Sequence, residues 1–297
     1  MLAMLILAIG CAGRATPGAA PTAFRLPANV TVTAGPDGRP IDSAELLRRL
    51  TAADIVLLGE LHDNAVHHAV RGQLIAALQS SRPAILFEQF AETTEPIAPP
   101  PGAQADEAWL DRNGFDRQSW RWPLHQPVVD AAIRHGRSLW GSGITREALR
   151  TVVRSGESSA PAHLRALLGR VPLDGAAQTA LDRELVAGHC GQLPESMVPG
   201  MRAAQTVRDA AMANALLKAQ AGGPAWLIAG NGHVRRDIAV PRLLSVLAPN
   251  LDVLVVGFVE RSATGAEPGA AERALYDLVV VTPRATRPDP CAGFQVR

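Results

Sequence analysis

The feature that most constrains the fold is a strand–helix–strand pattern early in the chain. Residues 53–58 are a short apolar run that ends at Gly59, which is typical of a buried strand. A helical pattern follows over 65–79, behind a capping Asp63 or Asn64, and a second apolar run covers 83–87. Strands connected through a helix in this way are parallel, with a right-handed crossover. The sequence therefore predicts a parallel sheet.

Later segments extend the pattern to a three-layer α/β/α fold with a mostly parallel sheet and a helical subdomain. The last two predicted strands are separated by a Gly-rich loop that leaves no room for a helix. We therefore expect them to form an antiparallel edge pair near the C-terminus. The further predicted elements are helices at 103–112 and 127–135, a strand at 137–141, helices over about 145–220, and strands at 225–229, 251–259 and 275–282.

Ionisable side chains follow three of the predicted strands. Glu60 and His62 follow the first strand, Glu88 ends the second, and His233 follows the strand at 225–229. If these strands are parallel, their carboxyl ends meet at one edge, where open α/β folds bind ligands. Each motif alone is commonly structural, so the prediction depends on their coincidence. Two imidazoles and two carboxylates brought together suit a divalent metal or an iron-bearing cofactor.

The N-terminus predicts export. Residues 1–9 are an apolar run too short to span a bilayer, followed by Gly10 and Cys11. This arrangement resembles a bacterial lipoprotein signal in which Cys11 is lipidated, although a plain signal peptide with an incidental cysteine is an alternative. The expected location is the cell envelope, at the periplasmic side or the outer membrane. The predicted organisation is a signal at 1–11, a tether at 12–40 and an α/β domain at 41–297.

Charge and cysteine content limit the classes of partner and metal site that the chain can have. Lys and Arg total 29 against 28 for Asp and Glu, so no electrostatic feature favours nucleic acid as a partner. Removal of the signal leaves Cys190 and Cys291, which can pair in an oxidising compartment if the fold brings them together. Neither cysteine has zinc-site spacing.

Aromatic residues stand just before one further histidine in the chain. Trp120, Trp122 and Pro123 stand just before His125, a set that can line a flat hydrophobic cavity. The alternative is that His125 is a loop residue that only packs between neighbouring elements.

Six segments, in this order, resemble the ChaN-like haem-binding lipoproteins, which share a superfamily with Tiki proteases and erythromycin-esterase-like enzymes. The resemblance covers nearly the whole chain after the signal. The segments are GELHDNAVHH (59–68), ILFEQF (85–90), WPLHQPVVDAA (122–132), MRAAQTVRDAAMA (201–213), AGNGHVRRDIAVPRLL (229–244) and YDLVVVTPRATRPDPC (276–291).

The resemblance implies haem binding, dimerisation around the haems and a role in iron acquisition. Family members often carry a tyrosine in the segment where this chain has His125, which makes His125 the expected haem ligand and Tyr276 the weaker candidate; both residue types ligate haem iron. The chain also has Arg71 where glutamine is usual in the family. The other cofactor-binding positions implied by the resemblance are Trp122, Arg146, Gln205 and Arg208.

The same resemblance supports a second hypothesis, a metal-dependent hydrolase of the Tiki-like type. In that case His62 and His233, with Glu60 and Glu88, bind a divalent metal ion, and the two glutamates act as acid and base. A third hypothesis is a binding protein for another small molecule. The carboxylate pair favours hydrolysis, whereas the tryptophans before His125 favour haem.

Overall fold

The computed structural model describes residues 24–78, 81–289 and 291–292. The predicted lipidation site Cys11 lies outside them. In chain order, the elements are β1 (Thr31–Ala34), α1 (Ser43–Ala52), β2 (Ile55–Leu58), α2 (Ala65–Ala77), β3 (Ala84–Ala91), α3 (Glu107–Arg112), α4 (Gln126–Arg134), β4 (Leu139–Gly143), α5 (Arg146–Ser155), α6 (Ala162–Arg170), α7 (Gly175–Gly188), α8 (Val198–Gln220), β5 (Ala225–Ile228), α9 (Asn231–Val234), α10 (Val240–Leu247), β6 (Val253–Glu260), α11 (Ala270–Arg273) and β7 (Leu278–Thr282).

The strands form one sheet in the order β1-β7-β6-β2-β5-β3-β4. Every pairing is parallel except β1 with β7. The expected α/β class, with a mostly parallel sheet and an antiparallel edge pair that includes the C-terminal strand, is confirmed. The central strands β2 and β5 read as continuous apolar runs because both of their faces are buried.

One pairing within that prediction is wrong. The segments expected to pair antiparallel, 251–259 and 275–282, contain β6 and β7, which are parallel with Val256 opposite Leu278. The connection between them includes α11 and is long enough for a crossover. The antiparallel partner of β7 is β1, which lies inside the segment predicted as a tether. β1 is only four residues long and follows a stretch rich in alanine, proline and glycine, so the sequence pattern assigns its β-branched residues to the tether.

Two apolar layers cover the sheet. Strand residues Val56, Leu58, Ile85 and Phe87 pack on the face that α2 and α4 cover. Residues Ile55, Leu57 and Leu86 pack on the opposite face, against α8 and its neighbours. The predicted helical segment of 145–220 contains α5 to α8, and α8 runs along the sheet beside β3, β4 and β5. Among the described helices, none is long and apolar enough to cross a membrane.

The edge strand β4 lies unusually close to its neighbour. A methyl group on Gly141 would come within 1.8 Å of the backbone oxygen of Ala91. Because that oxygen belongs to β3, the clash cannot be relieved by a side-chain rotation. Glycine is therefore required for this close approach of the two strands.

We expect Gly141→Ala to lower the free energy of unfolding by about 1–3 kcal/mol, since the strands must separate locally. Gly169→Ala is the control, because an added methyl group there would meet no described atom within 4 Å apart from the nearby backbone of its own helix α6, and alanine favours a helix. Urea denaturation measures both. Equal stability of the two variants would contradict the close approach of β3 and β4.

Candidate functional site

The carboxyl edge of the sheet carries the predicted acids and imidazoles, and strand alternation sorts them between its two faces. Glu60 continues the alternation of Val56 and Leu58, so it points to the side of α2 and α4. Glu88 continues the alternation of Leu86 and points to the side of α8. The two carboxylates therefore organise separate clusters on the two sides of one edge.

Glu60 is the centre of the first cluster and is 1% exposed. Its Oε1 lies 2.5 Å from His62 Nδ1, 3.1 Å from His125 Nε2 and 3.3 Å from Gln89 Nε2. Its Oε2 forms an ion pair with Arg71, which is fully buried on α2. A carboxylate so deep in the fold needs such partners, since an unpaired buried charge is strongly unfavourable.

Two histidines on α2 stabilise this cluster in the neutral form. His67 accepts from the backbone N–H of Leu61 at 2.9 Å and lies 2.9 Å from the Thr282 hydroxyl. His68 donates to the backbone oxygen of His62 at 3.0 Å and accepts from Arg71 at 2.8 Å. Burial lowers the pKa of both imidazoles to about 3. They are structural groups that position the loop carrying Glu60 and His62.

His125 faces two oxygen atoms. Its Nδ1 lies 3.0 Å from the backbone oxygen of Trp120, and its Nε2 faces Glu60. A neutral imidazole can donate to only one of them. Burial lowers the pKa of His125 to about 3, so the ring is neutral and its one N–H serves either the Trp120 oxygen or Glu60. His125 is buried beneath the rings of Trp120 and Phe115.

Glu88 is the centre of the second cluster. Its side chain forms an ion pair with Arg208, and its Oε2 accepts from the backbone N–H of Gly230 at 2.8 Å. His233 Nε2 lies 3.4 Å from Glu88, and His233 Nδ1 lies 2.6 Å from Asp209. Burial alone would raise the pKa of Glu88, but the charges of His233 and Arg208 hold it well below its usual value. Although burial opposes it, the nearby carboxylates raise the pKa of His233.

His62 joins the two clusters. Its Nδ1 is held by Glu60, and its ring lies beside Gly230, where a methyl group on that glycine would stand 3.0 Å from His62 Nε2. Gly230 in turn donates to Glu88. The four residues predicted as a metal set thus reach one edge, in two clusters that meet at Gly230. Among the described residues, the ligand atoms of Glu60, His62 and His125 lie within 4.8 Å of one another.

A cleft of about 430 Å³ opens beside the second cluster. Of the predicted cofactor-binding residues, Arg146 and Arg208 line it together with Glu88 and Trp120. Arg146 is 62% exposed and pairs with Asp116 at 2.9 Å. Trp120 also contacts His62, with ring centroids 4.8 Å apart, so the cleft and the two clusters are continuous.

The other predicted cofactor residues take different places. Gln205 contacts His233 at 3.1 Å, behind the cleft. Trp122 is half-buried and packs on Phe115. Tyr276 is buried before β7, with its ring over Gly257 in the apolar layer below α8 and α10. The structure therefore does not bring Tyr276 into the cleft, because β7 begins at the opposite edge of the sheet.

A family model and a solved structure both match this chain. The family model described as haem-binding uptake, Tiki superfamily, ChaN matches residues 46–244. The chain belongs to this family. A solved structure showing cofacial heme binding to ChaN of Campylobacter jejuni is similar in fold, with a TM-score of 0.67 and 18% identity, over 85% of this chain and 96% of that one. No curated protein matches the chain.

Three residues of this ChaN-like site are absent from the set predicted from the sequence. Arg71 pairs with Glu60, Gln89 donates to the same carboxylate, and Asp209 pairs with His233. Strand alternation was a usable signal for Gln89, since a polar residue after Glu88 must face the other side of the sheet. Arg71 lies four residues after His67 on an otherwise apolar face, which is a weaker signal. Asp209 is adjacent to Arg208 on α8, and its contact depends on the packing of α8 against α9.

We expect Arg71→Met to destabilise the protein by about 3–5 kcal/mol, because it leaves the Glu60 carboxylate buried without its cation. The matched control is Arg117→Met, which breaks a surface pair with Asp111 and should cost at most about 1 kcal/mol. Urea denaturation at neutral pH measures both. A loss as small as that of the control would show that Arg71 does not neutralise Glu60.

Acid should destabilise the protein below about pH 6.5. The pKa of His67 and of His68 is about 3 in the fold, so both imidazoles take up a proton on unfolding at any pH between these values. Stability is thus lost as the pH falls from 6.5 towards 3. Glu88, whose pKa is lowered in the fold, adds to this loss only below about pH 4.5. His233 has a raised pKa, so its contribution to stability is lost as the pH rises above about 6.5.

The measurement is the free energy of unfolding at about pH 7 and pH 5 for the wild type and for His68→Gln. The variant has one fewer buried imidazole to protonate, so it should lose less stability between the two pH values. An unchanged loss would mean that His68 is not neutral in the fold.

Proposed function

We propose that this chain binds haem at the mouth of the cleft, with the iron on His62 Nε2. The observations that support the proposal are the exposure of the His62 side chain and its hydrogen bond to Glu60. Its side chain is 48% exposed, and Glu60 accepts a hydrogen bond from its Nδ1. This hydrogen bond fixes the proton on Nδ1 and leaves the lone pair on Nε2 for a ligand. An imidazole held by a carboxylate in this way is a strong ligand for haem iron.

The surroundings of His62 fit such a group. The indole of Trp120 beside it supplies an apolar surface for a flat macrocycle. Arg146 and Arg208 in the same cleft can pair with the carboxylates of a haem. In this proposal His125, which is deeply buried, acts on the site through Glu60.

Family membership and the N-terminus support a wider role. We propose that the protein is an exported lipoprotein, lipidated at Cys11 and held in the cell envelope. There it would take part in haem or iron uptake. A haem on His62 would leave one face towards solvent. That arrangement favours a second copy of the chain covering it, so we include a homodimer in the proposal.

Haemin titration of the chain that begins at Cys11 tests the haem site. Binding should produce a Soret shift that His62→Ala weakens by at least about tenfold in affinity, through the loss of the iron ligand. The matched control is His163→Ala, which removes an equally exposed histidine at 50% and should bind as the wild type does. A Soret shift that survives unchanged in His62→Ala would refute His62 as the ligand, and no shift at all would refute haem binding.

A metal-dependent hydrolase is the second candidate, favoured by the Glu60–His62–His125 group. Two ligands of one divalent ion, each about 2.1 Å from it, lie on the order of 3 Å apart, close to the 3.1 Å between His125 Nε2 and Glu60 Oε1. Elemental analysis should then find one divalent ion per chain in the haem-free protein and none after Glu60→Ala. Metal-free protein without turnover of ester or peptide substrates would exclude this candidate.

A further inference from the structure

The C-terminal tail is held at both of its ends. It leaves β7 at Thr282, runs through 283–289 without helix or strand, and reaches Cys291. Cys291 forms a disulfide with Cys190, which follows α7. A segment tethered in this way samples few positions, so its side chains meet their partners at high effective concentration.

The middle of the tail contacts the loop that carries Glu60 and His62. Arg287 Nε lies 2.7 Å from Asp63 Oδ2, and its guanidinium also forms an ion pair with Glu260 at the end of β6. Asp63 is the residue directly after His62. Arg287 thus places a positive charge between two carboxylates that would otherwise repel each other.

The hydrogen bonds around this ion pair extend to the first turn of α2. Glu260 Oε1 accepts from Asn64 Nδ2 at 2.7 Å and from the backbone N–H of Ala285 at 2.9 Å. Asn64 Nδ2 also donates to the backbone oxygen of Pro283 at 3.1 Å, while Asn64 Oδ1 caps α2. The end of the His62 loop is therefore fixed by the tail on one side and by β6 on the other.

We propose that Arg287 is a positioning residue for His62, and that the disulfide between Cys190 and Cys291 keeps Arg287 in place. Arg287 acts through Asp63, since it touches neither Glu60 nor His62 among the contacts of the described residues. Its charge and the tether hold the loop in the conformation in which Glu60 orients His62. The effect on haem rests on the proposed function, whereas the effect on the loop does not.

Hydrogen exchange of the segment 59–68 tests the effect on the loop without any ligand. Arg287→Gln should speed exchange there by about two- to fivefold, because a partly buried ion pair is lost. Replacing both cysteines by serine should do the same, and Arg287→Lys should restore part of the protection, since a lysine can still pair with one carboxylate. The matched control is Arg284→Gln, an exposed arginine on the same tail, which should exchange as the wild type does.

Haemin titration of the same variants then tests the effect on His62. Arg287→Gln should weaken haemin binding and alter the Soret band, and Arg284→Gln should do neither. Wild-type exchange over 59–68 in both Arg287→Gln and the double-serine variant would overturn the proposal. A chain that binds no haem at all leaves the exchange comparison intact, so the failure of the proposed function is distinguishable from the failure of this inference.

Discussion

The buried carboxylate of Glu60 is the interaction on which the site depends. At 1% exposure it cannot remain charged without partners, and its partners come from separate parts of the chain. Arg71 comes from α2, Gln89 from β3 and His125 from the start of α4. One charge thus fixes how α2 and α4 sit at the end of the sheet. The same oxygen atom that holds His125 also holds His62, so the fold and the exposed ligand are set by one group.

The alternation of side chains along β3 explains why the site has two halves. Glu88 and Gln89 are neighbours in sequence but point to opposite faces, where they meet Arg208 and Glu60. Each face therefore supplies its own carboxylate and its own arginine. His62 lies where the halves meet over Gly230. This is how a parallel sheet with two covered faces can present one ligand site at its edge.

Much of this arrangement follows from local sequence pattern. The apolar runs that became β2, β3 and β5, and the helical periodicity that became α2 and α8, are sufficient to predict a parallel sheet with Glu60, Glu88 and His233 at one edge. The parallel pairing of β6 with β7, the strand β1 and the ion pair of Arg71 with Glu60 depend on contacts between distant segments, which periodicity does not encode. The burial of His125 is of the same kind, since nothing near it in sequence distinguishes a buried histidine from one that lines a cavity.

The protonation of His62 tests the central claim most directly. In ¹⁵N-histidine-labelled, ligand-free protein at neutral pH, long-range ¹H–¹⁵N spectra assign the proton to one ring nitrogen. If Glu60 orients the ring, His62 carries its proton on Nδ1 and the Nε2 resonance is that of a free lone pair. A His62 protonated on Nε2, or exchanging between both forms as a free imidazole does, would contradict the account.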